Sequence, residues 1–540
     1  MSDKSFYMSE HTKVRYPVAN MTNFNTKVPN QLITAELGGL YGASVLQELH
    51  ELIRLYHIYE HGADFLTEGS NGDYIPADLK FRKARQILDK EARFLFAKTP
   101  DMKVYSTDPS EEVKKAISEM QAFLDSVLKS NGFANKLVKA AKDCFIGRRV
   151  ACFLNFSDDG IAVQFSPSME FIYDVDPADM NRLTKIVAFY LTNDSQDKKE
   201  QRVYRKRYWM ADDGLCWFDE GLFDGLGDLV EVYYSATPTR FSYIPAVVIL
   251  NDGLTDDLRG SSEIELLMES ESWYSRLSNA DIDSGRQNMN PVRWGIDLNP
   301  STTKGLSIAP GSFWDLQSDL NSTADKVAGK VGLLESGMNY TDALKETLDR
   351  IKGDMYDTVD MPDIRLMDFK VASGKALMAI YWGLIVRCDE KMHAWRPALE
   401  FIIQCIMDGA KLYPNSARKY LPKGGMTVLD NDLYMPVVEN QYPLPEDEEA
   451  EKQVDVLEVT SGVMSRKRYM RKWLGLTDAE ADAEIEQIKK EREAFGEGQN
   501  NAQAEVLPGG SVEDNVKRND NKSKNSQRQD EGKSNPVEER

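Results

Sequence analysis

From Ala376 onward, Leu377, Ile380, Leu384, Cys388, Met392, Trp395, Leu399, Ile402 and Ile406 recur at steps of three and four residues. An α-helix returns such positions to one face, so the spacing predicts a single amphipathic helix of about eight turns. Pro397 lies inside the stripe. It removes one backbone donor and should kink the helix without ending it. This is more apolar stripe than one subunit's core readily covers, which points to self-association.

Two shorter helices precede it. In GSSEIELLMESESWYSRLSNADIDSGR, Ser261 or Ser262 can cap the start, Glu263 and Glu265 face its positive end, and Ile264, Leu267, Tyr274 and Leu277 share a side. The pattern is lost after Asn290-Pro291 and returns in TDALKETLDRIKGDMYDTV, with Leu344, Leu348, Ile351 and Met355 in phase. Asp360-Met361-Pro362 breaks this second helix, because proline lacks an N–H and disfavours helical geometry in the residue before it. A loop to about Ser373 leads into the long helix. The plan is helix, excursion, helix, loop, long helix.

Upstream, residues 1–30 read as a polar arm. Helices are expected at Gln31–His61 and about Ala77–Ala97, then from Asp108-Pro109, with a capping residue and proline at the first helical position, to Asn131-Gly132, and over ANKLVKAAKDCF. RRVACFLNF, IAVQFSPSMEFIYDV, KIVAFYLTND, QRVYRKRYWMA, GLCWFDEG, LVEVYYSA and PAVVILND then read as strands of an antiparallel meander, with turns at Asp159-Gly160 and Asp213-Gly214. Residues 31–260 are therefore expected to form an α+β body. YPNSARKYLPKGG is a predicted loop, and Val428–Val438 should return one or two strands to the β part. Three helices follow at about Ala450–Thr460, Arg466–Leu474 and Asp478–Phe495, with a capping box of Thr477 and Glu480 and a stop at Gly475. Residues 496–540 lack aromatics and are expected to be disordered.

The 540 residues allow several domains, and the formal charge of −21 argues against a surface that grips nucleic acid by neutralising phosphates. No run approaches the ~18 apolar residues of a membrane span, and MSDKSFYMSEHTK lacks the apolar core of a signal peptide, so a cytoplasmic protein is expected. The five cysteines, Cys144, Cys152, Cys216, Cys388 and Cys405, show no CxxC pair and read as buried thiols.

Motifs for chemistry fail on inspection. ASGKAL lacks the P-loop glycine and the hydroxyl residue after Lys, since Phe369 and Ala376 stand there, so neither a nucleotide site nor any other cofactor is expected. HELIRLYH has Arg54 where HExxH needs its second histidine, which leaves His50, His57 and His61 as residues of an ordinary helix and no metal site. His393, alone on the long helix, reads the same way. No catalytic serine, cysteine or carboxylate pair stands out, and no enzymatic activity is expected. Two basic clusters remain. Arg202, Arg205, Lys206 and Arg207 lie on a predicted strand. Arg466, Lys467, Arg468, Arg471 and Lys472, interleaved with Tyr469 and Trp473, are a candidate nucleic-acid face.

The run Ile244-Pro245-Ala246-Val247-Val248-Ile249, the helix opening Gly260, Ser262, Glu263 and Glu265 with Tyr274 and Ser278, and the later Ser373, Gly374, Lys375, Ala376 and Leu377 together resemble portal proteins of tailed bacteriophages, of the long-tailed type. Trp273 and Gly353 depart from the pattern. The resemblance implies an α+β subunit of a dodecameric ring at one capsid vertex. Residues 1–30 would be an arm, 31–260 a wing, 261–289 the first stem helix, 290–340 a small clip and 341–360 the second stem helix. Residues 361–373 would be a tunnel loop, 374–440 the long kinked wing helix and return strands, 441–495 a helical crown and 496–540 a tail. It further implies a channel for DNA packaging and ejection and a site of head-tail joining. The implied partners are double-stranded DNA, the terminase large subunit, major capsid and scaffolding proteins and a head-tail adaptor, with assembly in the host cytoplasm and residence in the virion. Asp363, Arg365, Asp368, Lys370, Ser373 and Lys375 would line the channel. Residues 261–286 hold six acids against two bases and 341–360 six against three, so a ring of such helices would present a negative wall that DNA does not adhere to. The competing readings are a cytoplasmic multidomain enzyme with an unrecognised site, and another oligomeric phage connector or capsid-interior protein.

Overall fold

The computed structural model describes residues 39–66, 75–192, 197, 199–254, 257–289, 292–296, 298, 299, 301, 316, 317, 330–334, 339–363, 378–422, 425–443 and 448–496. The chain divides into two compact units, Met1–Pro445 and Glu446–Arg540. The expected arm and tail, and Leu377 of the long stripe, lie outside the described residues.

The first unit opens with α1 (Gly39–His61) and α2 (Lys83–Phe96). Helix α2 starts later than the expected Ala77. The N–H groups of Ala77 and Leu79 are taken by side chains of Asp283 and Asn279 at 3.0 and 2.8 Å, so residues 75–82 have no need of helical partners. Strand β1 (Asp101–Tyr105) was not anticipated. Helix α3 (Glu111–Ser130) begins with Ser110 at its N-cap rather than at Asp108-Pro109. The Asp108 carboxylate accepts the Ser110 N–H at 2.9 Å, forming a turn ahead of the helix. Helix α4 (Phe133–Gly147) follows Gly132, as expected.

The β region is two sheets rather than one meander. Strands β4 (Phe171–Asp176), β5 (Asp179–Leu191), β6 (Arg202–Met210), β7 (Cys216–Asp224) and β8 (Leu229–Pro238) form a five-stranded meander in chain order. Strand β2 (Arg149–Ser157) instead sits between β3 (Gly160–Pro167) and β9 (Ala246–Leu250), with Cys152 opposite Phe165 and Val247. The reason is burial: β2 is buried along nearly its whole length, so it needs a hydrogen-bonded neighbour on each side.

Beyond β9 come α5 (Glu263–Met289), the hairpin β10 (Val292–Ile296) and β11 (Lys330–Leu334), α6 (Thr341–Thr358) and α7 (Trp382–Leu412). In the hairpin Trp294 lies opposite Gly332, and a Cβ there would sit 2.6 Å from its indole ring. Helix α7 runs unbroken through Pro397 and buries Leu384, Cys388, Met392, Trp395, Leu399, Ile402 and Ile406 within this one chain, so the subunit's own core covers the expected stripe and the stripe does not itself call for self-association. Each such large side chain, fully buried, contributes about 1.5–3 kcal/mol. Trp395 meets Phe96 of α2 edge-on at 5.0 Å. At Gly409 a Cβ would come within 2.0 Å of the Phe156 ring, which fixes the approach of α7 to β2.

The segment after α7 is not a plain loop. Pro414 starts a short helix, α8 (Pro414–Ala417), followed by a 3₁₀ turn Arg418–Tyr420 whose tyrosine hydroxyl meets Ile161 N–H at 3.3 Å. Strand β12 (Met435–Glu439) pairs with β1, Met102 opposite Val438, rather than with either larger sheet.

The second unit holds α9 (Glu448–Thr460), α10 (Arg466–Leu474) and α11 (Asp478–Gly496), close to expectation. Thr477 and Glu480 make the predicted capping box, Thr477 N–H donating to the Glu480 carboxylate at 2.9 Å. Gly475 ends α10 with φ 65°. Ser465 caps its start by accepting the Arg468 N–H at 3.2 Å.

Candidate functional site

The start of α5 is built by the Gly260–Glu265 motif. Gly260 has φ +71°, and a Cβ there would lie 2.5 Å from the Arg148 carbonyl, so only glycine fits. Ser262 Oγ accepts the Ile264 N–H at 3.1 Å and donates to the Ile146 carbonyl at 2.7 Å. Glu265 reaches back to the Ser262 N–H at 3.3 Å, completing a capping box, and also pairs with Arg148. The motif therefore welds α5 to the α4–β2 junction.

Glu263 was expected to face the helix start, but it turns inward instead. Its carboxylate meets Arg387 and Lys391 of α7, each at 2.5 Å, and accepts from the Asn251 side chain at 3.2 Å. Glu91 of α2 joins the same cations, 3.0 Å from Arg387 and 3.4 Å from Lys391. Arg387 also lies 3.8 Å from Asp360 at the foot of α6. Burial and the neighbouring Glu263 push the Glu91 carboxyl up. Burial also works to raise Glu263, but Lys391 and Arg387 outweigh it and hold that carboxyl below the usual range. Helices α2, α5 and α7 are locked together by this network, with the exposed Asp360 at its edge, and none of it was anticipated. A signal was present in the pairing of Arg387 and Lys391, four residues apart beside an otherwise apolar stripe.

Further along α5 the buried positions after Leu267 are Glu271, Ser275, Ser278 and Asn279; Tyr274 and Leu277 are only half-buried. The polar stripe grips residues 75–82 and the first turn of α2. Ala84 N–H donates to Glu271 at 3.3 Å, and Arg286 donates to the Ile75 carbonyl at 3.0 Å. Tyr274 packs edge-on to Phe81 at 5.5 Å under Lys83. Trp273 is exposed beneath Arg276.

Consequently the acids of α5 and α6 differ in what they face. On α5, Glu263 and Glu271 are buried, Glu265 is paired with Arg148 and Asp283 with Arg286. On α6 and its end, Asp342, Glu346, Asp349, Asp354, Asp357 and Asp360 are all exposed. The chain break after α6 is firmly seated: Val359 and Met361 are buried, and Asp360 adopts φ 50°, the left-handed turn that ends helices. Asp363 pairs with Lys352. Arg365, Asp368, Lys370, Ser373 and Lys375 lie outside the described residues.

Residues 313–497 match the family model "Phage portal protein, SPP1 Gp6-like". Over that stretch, about a third of the chain, the sequence is similar to the phage portal proteins. The portal match takes in α6, the segment after it, α7 and α9–α11. It supports a portal or connector role. Among solved structures that match, the neck of an empty GTA particle, computed with C6 symmetry, covers 74% of this chain and 89% of its own chain at 10% identity. Its TM-score of 0.37 carries no functional argument. Among curated proteins, none matches the sequence.

Most of the remaining basic candidates sit beside acids. Lys206 is buried against Glu220 at 3.1 Å, while Arg205 and Arg207 both pair with Asp219. On α10, Lys467 pairs with Asp482 at 2.7 Å and Lys472 with Asp455 at 2.8 Å, so acids of both flanking helices offset its charge. Arg466, Arg468 and Arg471 remain exposed. The His57 and His61 rings lie 4.6 Å apart, tilted by 46°, and no group of three or more metal-binding side chains gathers among the described residues. The cysteines are buried, and burial raises their thiols. Among the described residues no helix is long and apolar enough to cross a membrane.

Proposed function

We propose that the chain is one subunit of a closed portal ring, dodecameric as in its family resemblance, through which double-stranded DNA is packaged and ejected at one capsid vertex. The observation that carries this reading is the portal-family match over residues 313–497. Residues 31–260 and 374–440 act as the wing, 261–289 and 341–360 as the stem, 290–340 as the clip, 361–373 as the tunnel loop and 441–495 as the crown. The terminase large subunit docks on the ring during packaging, a head-tail adaptor joins afterwards, and capsid and scaffolding proteins surround it. Assembly takes place in the host cytoplasm and the ring stays in the virion.

The exposed acids of α6 support a channel wall that does not hold its cargo. DNA affinity comes mainly from neutralised phosphates, and a row of carboxylates offers none. Arg365 and Lys370 in the tunnel loop supply sparse contacts to passing phosphates, and Asp363, Asp368, Ser373 and Lys375 flank them.

Native mass measurement with negative-stain imaging tests the ring: closed particles of many subunits are expected, and a stable monomer at micromolar concentration overturns it. Substituting Arg365→Ala with Lys370→Ala tests the loop. Rings of normal size that package DNA poorly are expected, whereas normal packaging removes the loop from the channel.

A further inference from the structure

Among the described residues, strand β8 is the last strand of its sheet, hydrogen-bonded to β7 alone. Leu229, Val230 and Val232 are 47–54% exposed along it, and the strand holds no base and no proline before its last residue, Pro238. Unguarded apolar edges invite another chain. The edge strand β3 shows the contrast, because side chains seal it. Asn131 bonds both the Val163 N–H and the Ile161 carbonyl at 2.9 Å, and Lys136 donates to the Val163 carbonyl at 2.6 Å. Among the described residues no side chain is seated in this way on the backbone of Leu229–Val232.

A complementary surface lies at the other side of the same sheet. The pairing of β5 with β6 begins at Lys185, so Met180–Thr184 runs on with no strand on that side. Beside it opens a cleft of ≈ 490 Å³, walled by Met180, Leu183, Val247, Pro397 and Phe401, with the exposed Arg182 at its edge. Glu231 on β8 and Asp228 in the turn just before it place acids beside the apolar residues.

We propose that β8 of one subunit docks in the β5 cleft of the next copy, Leu229 and Val232 entering the apolar walls while Asp228 or Glu231 meets Arg182. Two different patches of one chain then mate head to tail, the type of contact that closes a ring. The inference rests on the ring reading above and adds which surfaces make it.

The test is a cysteine pair, Val230→Cys with Asn181→Cys, in the full chain, exposed to a mild oxidant. The five native thiols are buried and give little background. A ladder of covalent oligomers, absent from either single variant, is expected. The independent variant Leu229→Lys with Val232→Lys should fold yet lose at least tenfold in assembly, read by native mass. In the unmodified ring, amide exchange at 229–232 should be slower than in dissociated subunits. Rings of normal mass without the ladder, or with fast exchange at 229–232, overturn this docking while leaving the portal ring standing. Failure of the unmodified chain to assemble overturns both.

Discussion

Asn279 pairs with Leu79 as a neighbouring strand would. Its side-chain oxygen accepts the Leu79 N–H at 2.8 Å, and its amide nitrogen donates to the Leu79 carbonyl at 2.8 Å. One side chain on α5 thus satisfies both backbone groups of a residue in an extended segment. Asn279→Leu would remove both hydrogen bonds at once. The expected loss is about 1–3 kcal/mol in urea denaturation, with faster amide exchange confined first to residues 75–82. An unchanged midpoint would show that Leu79 finds other partners.

The network of Glu91, Glu263, Arg387 and Lys391 holds two carboxylates and two cations in a buried space. Removing one cation leaves an uncompensated buried charge. Arg387→Met or Lys391→Met should each destabilise the first unit by about 3–5 kcal/mol. The double variant Lys391→Met with Glu263→Gln should recover part of that loss. A double-mutant cycle without coupling would show that the groups act independently.

Glu271 makes stability depend on pH. Burial raises its carboxyl above the ordinary 4.5, against the pull of the Ala84, Lys83 and Ala63 N–H groups. The folded chain therefore holds this proton more tightly than the unfolded chain does. The contribution is fully present below the unfolded value and is lost as pH rises through the folded one. Glu271→Gln removes that loss, so its melting temperature should gain on the parent's as pH rises from 4 to 7. A difference independent of pH would mean that Glu271 does not titrate in the folded state.

Gly409 lies where α7 presses on Phe156. Gly409→Ala should cost about 1–3 kcal/mol by overpacking. Adding Phe156→Leu should make the second substitution cheaper than it is alone, since both act on the same space. Strict additivity in thermal melts would place the strain elsewhere.

Helices α5, α6 and α7, the break at Asp360-Met361-Pro362 and the Thr477–Glu480 cap are legible from the residues alone. Each is a local matter of periodicity or of a side chain reaching three residues along its own chain. Which charges are solvated depends instead on the packed elements around them. Glu263, Glu271 and Asn279 look like surface residues of an acidic helix until α2, α7 and residues 75–84 are brought beside them. The pairing of β1 with β12, and of β9 with β2, was likewise invisible. Short apolar runs declare that they are strands, but the choice of neighbour depends on which edge burial leaves unpaired, and that is a property of the assembled core.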